Sequence, residues 1–113
     1  MPDNFVLMIA TTQLGDGDER LGATLMRSFL KTQAKAPRLP DTIVLLNEGV
    51  KLVVEDSVVK EDFSALVERG VELLVCGTCL DFYELRDDIR VGTISNMFDI
   101  VTALNTADRF VRI

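Results

Sequence analysis

The chain has 113 residues, with 12 Lys and Arg against 18 Asp and Glu for a formal charge of -6, two cysteines, one tyrosine, no tryptophan and no histidine. That is the length of one ordinary domain, and 48% apolar residues suffice to build one core. Without histidine there is no Ser-His or Cys-His pair, no histidine general base and no His-containing zinc site within one subunit. Chemistry therefore falls to cysteine, carboxylate, lysine or backbone groups.

Acids outnumber bases and the Lys and Arg residues are scattered, which argues against a nucleic-acid surface, since neutralising phosphates needs clustered cations. No apolar run approaches the roughly 20 residues of a membrane span. The start, MPDNFVLMIATT, lacks the basic segment and small-residue cleavage site of a signal peptide, so a cytoplasmic location is expected. In that reducing compartment, two cysteines spaced C-x-x-C point to reactivity or metal binding rather than a structural staple.

The first apolar run, Phe5 to Ala10, is of strand length and continuous, as suits a strand buried on both faces. It is followed by LGDGDERLG, Leu14 to Gly22, whose glycines match neither GxGxxG nor GxxxxGK and whose Asp16, Asp18 and Glu19 would repel a phosphate. The segment reads as a turn with acids well placed at a helix start. The spacing of its acids lacks the downstream bidentate Glu of a calcium loop.

Leu21, Leu25, Met26 and Phe29 then recur at helical period, and Pro37 and Pro40 lie in the link out of that helix. Ile43 to Leu46 is a second strand. NEGVKL, Asn47 to Leu52, follows it, where Asn and Gly tolerate a left-handed turn and Lys51 is either a cation near the cysteines or a solvated surface residue. Phe63, Leu66 and Val67 mark a second helix, with Gly70 as its stop, and Val71 to Val75 a third strand.

Thr78-Cys79-Leu80-Asp81 fits a helix amino-terminal cap and predicts a short helix from Thr78 to about Asp87, with Asp81, Glu84, Asp87 and Asp88 on a wet face. Val91 to Ser95 is a weaker fourth strand. Asn96 is placed to cap a fourth helix carrying Met97, Ile100, Val101 and Leu104 on one stripe, with Met26 and Met97 assigned to the core. Asp108 to Ile113 alternates and belongs at a sheet edge or beside a partner subunit. Five strands alternating with four helices predict an α/β fold of three layers, α/β/α, around a mostly parallel five-stranded sheet. No repeat, low-complexity segment or interdomain linker divides residues 1–113.

In an open parallel sheet the ligand crevice lies outside the carboxyl ends of the strands. Those ends are Thr11-Thr12, Asn47-Glu48-Gly49, Cys76-Gly77-Thr78-Cys79 and Ser95-Asn96. Thr11, Asn47, Gly49, Gly77, Thr78 and Asn96 are therefore the candidate substrate-binding residues, around Cys76 and Cys79 as the candidate catalytic pair. A thiol at a helix start is favoured as thiolate, and Gly77 lets the backbone approach a bound anion or persulfide. A lone C-x-x-C is compatible with a dithiol redox pair, half a metal site, a sulfur relay, or two small buried apolar residues. Metal is the weakest of these, because two sulfurs are two ligands short of a tetrahedral zinc.

At CGTCLDFYEL the chain resembles the DsrE/DsrF-like family, and most closely the DsrE-like domain of the YedF-type proteins of selenium metabolism. The likeness extends over GDGDERLGATLMRSFL, LPDTIVLLNEGVKL, VGTISNM and ADRFVRI, in the expected order. It implies one DsrE/F-like domain over 1–113 and a sulfur carrier or sulfurtransferase-like activity, in which sulfane sulfur is held as a cysteine persulfide. Cys76 stands where sister members carry the working cysteine at the end of the third strand, and Cys79 matches the second cysteine of the CGTC-bearing branch. The resemblance further implies a homo-oligomer and exchange with sulfur donor and acceptor proteins such as TusA-like carriers; no cofactor or metal is expected, and charge and hydropathy argue against nucleic-acid and membrane partners. A non-catalytic oligomeric binding or regulatory module and a dithiol-disulfide redox protein are the alternatives.

Overall fold

The computed structural model describes residues 3–113. Its elements run β1 (Phe5–Ile9), α1 (Glu19–Gln33), β2 (Thr42–Leu45), α2 (Lys60–Glu68), β3 (Glu72–Cys76), α3 (Gly77–Phe82), β4 (Thr93–Ser95), α4 (Met97–Asn105) and β5 (Arg109–Arg112). Two 3₁₀ segments, Asn47–Val53 and Arg86–Asp88, lie in the connections. The strands form one sheet in the order β4-β3-β2-β1-β5, and every pairing is parallel. The expected α/β architecture is therefore present.

Chain order and strand order together decide which face each helix covers. Steps from β1 to β4 all move one way across the sheet, and the last step returns from one edge to the other. Right-handed crossovers then place α1 to α3 on one face and α4 on the opposite face. Alternation along the strands follows suit: Thr42, Glu72 and Leu74 border a cavity with Asp99, Thr102 and Ala103 of α4. The fully buried residues include Leu7, Ile9, Ile43, Leu45, Met26, Leu30, Phe63 and Leu66. Among the described residues, no helix is long and apolar enough to cross a membrane.

Helix boundaries follow local chemistry. Asp18 caps α1, its carboxylate accepting from the N-H groups of Arg20 (2.8 Å) and Leu21 (3.2 Å), which is the role expected of the acidic turn. At the end of α2, Gly70 takes φ 98°, so that its own N-H reaches the Val67 carbonyl and that of Val71 reaches Leu66. The same pair of bonds ends α3: Glu84 N-H donates to Asp81 and Leu85 N-H to Leu80, with Glu84 at φ 56°. The helix expected to continue to Asp87 therefore stops at Phe82. A glutamate in the left-handed region is not a stop signal that composition reveals.

Three of the expected stripes shift. In α1 the buried positions are Gly22, Met26 and Leu30, leaving Leu21 and Leu25 exposed, because the packed face is centred one residue, about 100°, away from them. Val67 of α2 is likewise partly exposed. In α4 only Ile100 is fully buried; Met97, assigned to the core, is 57% exposed, and Phe98 and Val101 lie out with it. β4 is shorter than expected, beginning at Thr93 after Gly92 turns the chain at φ 97°. The terminal strand is at the sheet edge as expected, beside β1 and exposed throughout.

Gly49 marks where the 3₁₀ segment presses onto the sheet: a Cβ there would sit 2.2 Å from the Ile9 carbonyl oxygen. Gly70, by contrast, has nothing within 4 Å of such a Cβ. Gly49→Ala should therefore destabilise the fold by about 3 kcal/mol through backbone displacement, while Gly70→Ala should cost about 1 kcal/mol of conformational strain. Urea midpoints of the two variants check the order, and equal losses would contradict the packing assigned to Gly49.

Candidate functional site

β3 passes into α3 with no intervening loop, so Cys76 is the residue before the helix and Gly77 its first residue. Thr78, expected as the cap, is in the first turn and exposed; Cys76 occupies the cap position and makes no side-chain capping bond. The direct junction depends on Gly77, where a Cβ would meet Arg86 Nη2 at 2.9 Å and the Ser95 carbonyl at 3.1 Å. Arg86 also clasps Asp81 (Nε to Oδ1 2.6 Å, Nη2 to Oδ2 3.1 Å), and this hydrogen bonding holds the Asp81 carboxyl below its ordinary range.

The two cysteines are free thiols in different settings. Cys76 is 2% exposed and belongs to the core. Cys79 is half-buried and opens into a cavity of about 290 Å³ lined by Asn47, Thr78, Cys79, Phe82 and Tyr83. Of the two sulfurs proposed from the sequence, Cys79 lines the cavity and Cys76, expected as the working cysteine, does not.

Asn47 reaches this cavity from the neighbouring strand. It follows β2 in the left-handed conformation, φ 50°, and its backbone N-H donates to Cys79 Sγ at 3.1 Å. Its carboxamide oxygen accepts from the Tyr83 hydroxyl (3.2 Å) and from the Glu48 N-H (2.9 Å). Lys51 stands 4.4 Å from the centre of the Tyr83 ring and pairs with Glu48 at 3.2 Å. The lysine considered as a cation for the cysteines is thereby engaged by the ring and a carboxylate.

Burial pushes the Cys79 thiol above its ordinary value; the Asn47 N-H opposes that rise, while the hydrogen bond and charge of neighbouring Cys76 add to it. The thiolate expected from a helix start is outweighed by desolvation. Among the described residues, no group of three His, Cys, Asp or Glu is placed to hold a metal ion.

The rim divides the remaining candidates. Asn47 and Thr78 join Cys79 at the cavity. Gly77 and Gly49 are buried packing positions that do not line it. Asn96 caps α4, accepting from the Asp99 N-H at 2.9 Å. Thr11 lies at the end of β1, two strands from β3 and so about 10 Å along the rim, beside a separate cavity with Gln13 and Arg112. Phe82 and Tyr83 were not among the candidates, although they stand three and four residues after Cys79 and so share its helical side.

A model of the DsrE/DsrF-like family matches residues 4–113. The chain belongs to this family. Solved structures similar to this DsrE-like chain include the ychN protein from E. coli, with TM-score 0.70 and 13% identity over 97% of this chain and 99% of that one. A protein of unknown function, MTH1491 from Methanobacterium thermoautotrophicum, has TM-score 0.67 and 21% identity over 96% and 97%. BT1422 from Bacteroides thetaiotaomicron, also of unknown function, has TM-score 0.66 and 15% identity over 97% and 95%. At these identities the likeness is one of fold. No curated protein matches the chain.

The two settings predict an order of reaction. Iodoacetamide should modify Cys79 first and Cys76 only as the protein opens. Because its pKa is raised, Cys79 is mostly protonated at neutral pH, so its rate should climb with a midpoint above the free-thiol value of about 8.5. Peptide mapping across pH checks both, and earlier labelling of Cys76 would contradict the assigned burial.

Proposed function

We propose that this DsrE-like chain is a sulfur carrier of the YedF type that holds sulfane sulfur as a persulfide on Cys79, in sulfur or selenium metabolism. The observation that carries the reading is the paired arrangement of the thiols: Cys79 faces a small cavity walled in part by Phe82 and Tyr83, and the buried Cys76 lies close enough to interact with it. The Cys79 thiolate attacks the outer sulfur of a donor persulfide, the new S-S bond forms at Cys79, and the donor leaves as its thiolate. An acceptor thiolate reverses the step by attacking the outer sulfur, and Cys79 is regenerated. Neither step needs a histidine, since the attacking and leaving groups are both thiolates; what each requires is a sulfur within reach and a donor to its negative charge. The Asn47 N-H at 3.1 Å is such a donor.

TusA-like carriers are the proposed exchange partners, and a homo-oligomer the proposed assembly. The latter is supported by α4, whose Met97, Phe98 and Val101 form an apolar outer face with Phe98 80% exposed. A second copy of the chain is the occupant assigned to that face.

Incubation with a persulfide donor followed by intact-mass measurement tests the carrier reading. Wild type and Cys76→Ser should gain the mass of one or more sulfur atoms, whereas Cys79→Ser should gain none. Loading that persists in Cys79→Ser and vanishes in Cys76→Ser would return the role to Cys76; no loading of the wild type would favour a binding or regulatory module. Phe98→Asp should lower the solution mass measured by light scattering toward that of one chain, and an unchanged mass would remove α4 from the interface.

A further inference from the structure

We propose that Tyr83 is a positioning residue for Cys79 and acts on it through Asn47. The hydroxyl of Tyr83 donates to the Asn47 carboxamide oxygen at 3.2 Å, and the backbone N-H of the same asparagine donates to Cys79 Sγ at 3.1 Å. One residue thus receives the phenol and delivers its amide to the sulfur. The backbone conformation that aims the amide is the left-handed one, φ 50°, which asparagine tolerates better than other side chains but does not prefer. Holding it requires outside contacts, and the carboxamide supplies two, from Tyr83 and from the Glu48 N-H.

Tyr83 is itself held. Lys51 packs over its ring at 4.4 Å and Phe82 meets it edge to face at 5.2 Å between centroids. The ring also forms a partition, since it lines both the Cys79 cavity and a second one bounded by Lys51, Asp56 and Ser57. A fixed ring gives the hydroxyl one direction, and that direction is Asn47. The outcome is that α3, which carries Cys79 and ends at Phe82 just before Tyr83, and the 3₁₀ segment that begins at Asn47 are tied together on either side of the reactive sulfur.

The charged and titratable groups around this sulfur have separate partners. Glu48 and Lys51 pair at 3.2 Å and Asp81 and Arg86 at 2.6 Å. Cys76 is the one that bears directly on Cys79, and it opposes the thiolate. The Asn47 amide favours that thiolate, so any loosening of Asn47 removes support that the rest of the site does not replace.

Tyr83 matters to function if Cys79 is the working sulfur, as proposed above, but its effect on the thiol is measurable without a sulfur donor. Alkylation of Cys79 by iodoacetamide, followed by peptide mapping against pH, is compared in wild type, Tyr83→Phe, Asn47→Gly and the double variant, with far-UV circular dichroism to show that each is folded. Tyr83→Phe keeps the ring and loses only the hydroxyl; Asn47→Gly keeps the amide and an easy left-handed backbone but loses the acceptor. Each single variant should move the midpoint up by roughly half a pH unit, leaving about threefold less thiolate below it. The double variant should move no further than Asn47→Gly alone, because the hydroxyl then has no acceptor to hold. An unmoved midpoint in Tyr83→Phe, or shifts that add in the double variant, would overturn the assignment. A normal set of midpoints in a chain that never gains sulfur would overturn the carrier reading and leave Tyr83 in place.

Discussion

The site depends on the parallel pairing of β2 with β3. Ile43 to Leu45 align with Leu73 to Val75, so the two strands end at the same level and release their following segments side by side. From β2 comes Asn47, from β3 the Cys76-Gly77-Thr78-Cys79 turn into α3. An antiparallel partner would put one of these at the opposite end of the sheet. Both faces of these strands are buried, Ile43, Val44, Leu45 and Val75 having no exposed surface, so the pair lies at the centre of the core.

Around that alignment, two non-glycine residues among those described lie in the left-handed region, Asn47 and Glu84. They sit on either side of the cavity-forming turn. Asn47 directs an amide at Cys79. Glu84 ends α3 immediately after Tyr83, by closing the paired carbonyl bonds of Asp81 and Leu80. Both carry a strain that the surrounding contacts must outweigh, a pattern commonly found where a fold holds reactive groups in place.

The electrostatics of the cavity are those of restraint. Desolvation keeps the Cys79 thiol protonated and a single amide works against it, so the sulfur is reachable without being permanently ionised. Under the proposed carrier role, such a thiol would react slowly with unrelated molecules. With a formal charge of -6, the chain would attract a partner by charge only if that partner presented a basic surface.

Much of this architecture was legible in the sequence because the signals are local. Apolar runs of strand length alternating with helical periods implied the parallel sheet, the acidic turn implied the α1 cap, Asn96 implied the α4 cap, and the carboxyl-end rule put the cysteines and Asn47 on one rim. What tertiary structure alone decided is how those rim residues divide. Strand order set Thr11 apart from the cysteines, close approach of neighbouring atoms made Gly49 and Gly77 packing positions, and burial separated the two thiols, Cys76 in the core and Cys79 at the cavity. The part played by Tyr83 was equally hidden, since it arises from a residue 36 positions away in the chain. Spacing along a sequence determines which side chains share an element; burial and contact between elements depend on distances that exist only after the strands have paired.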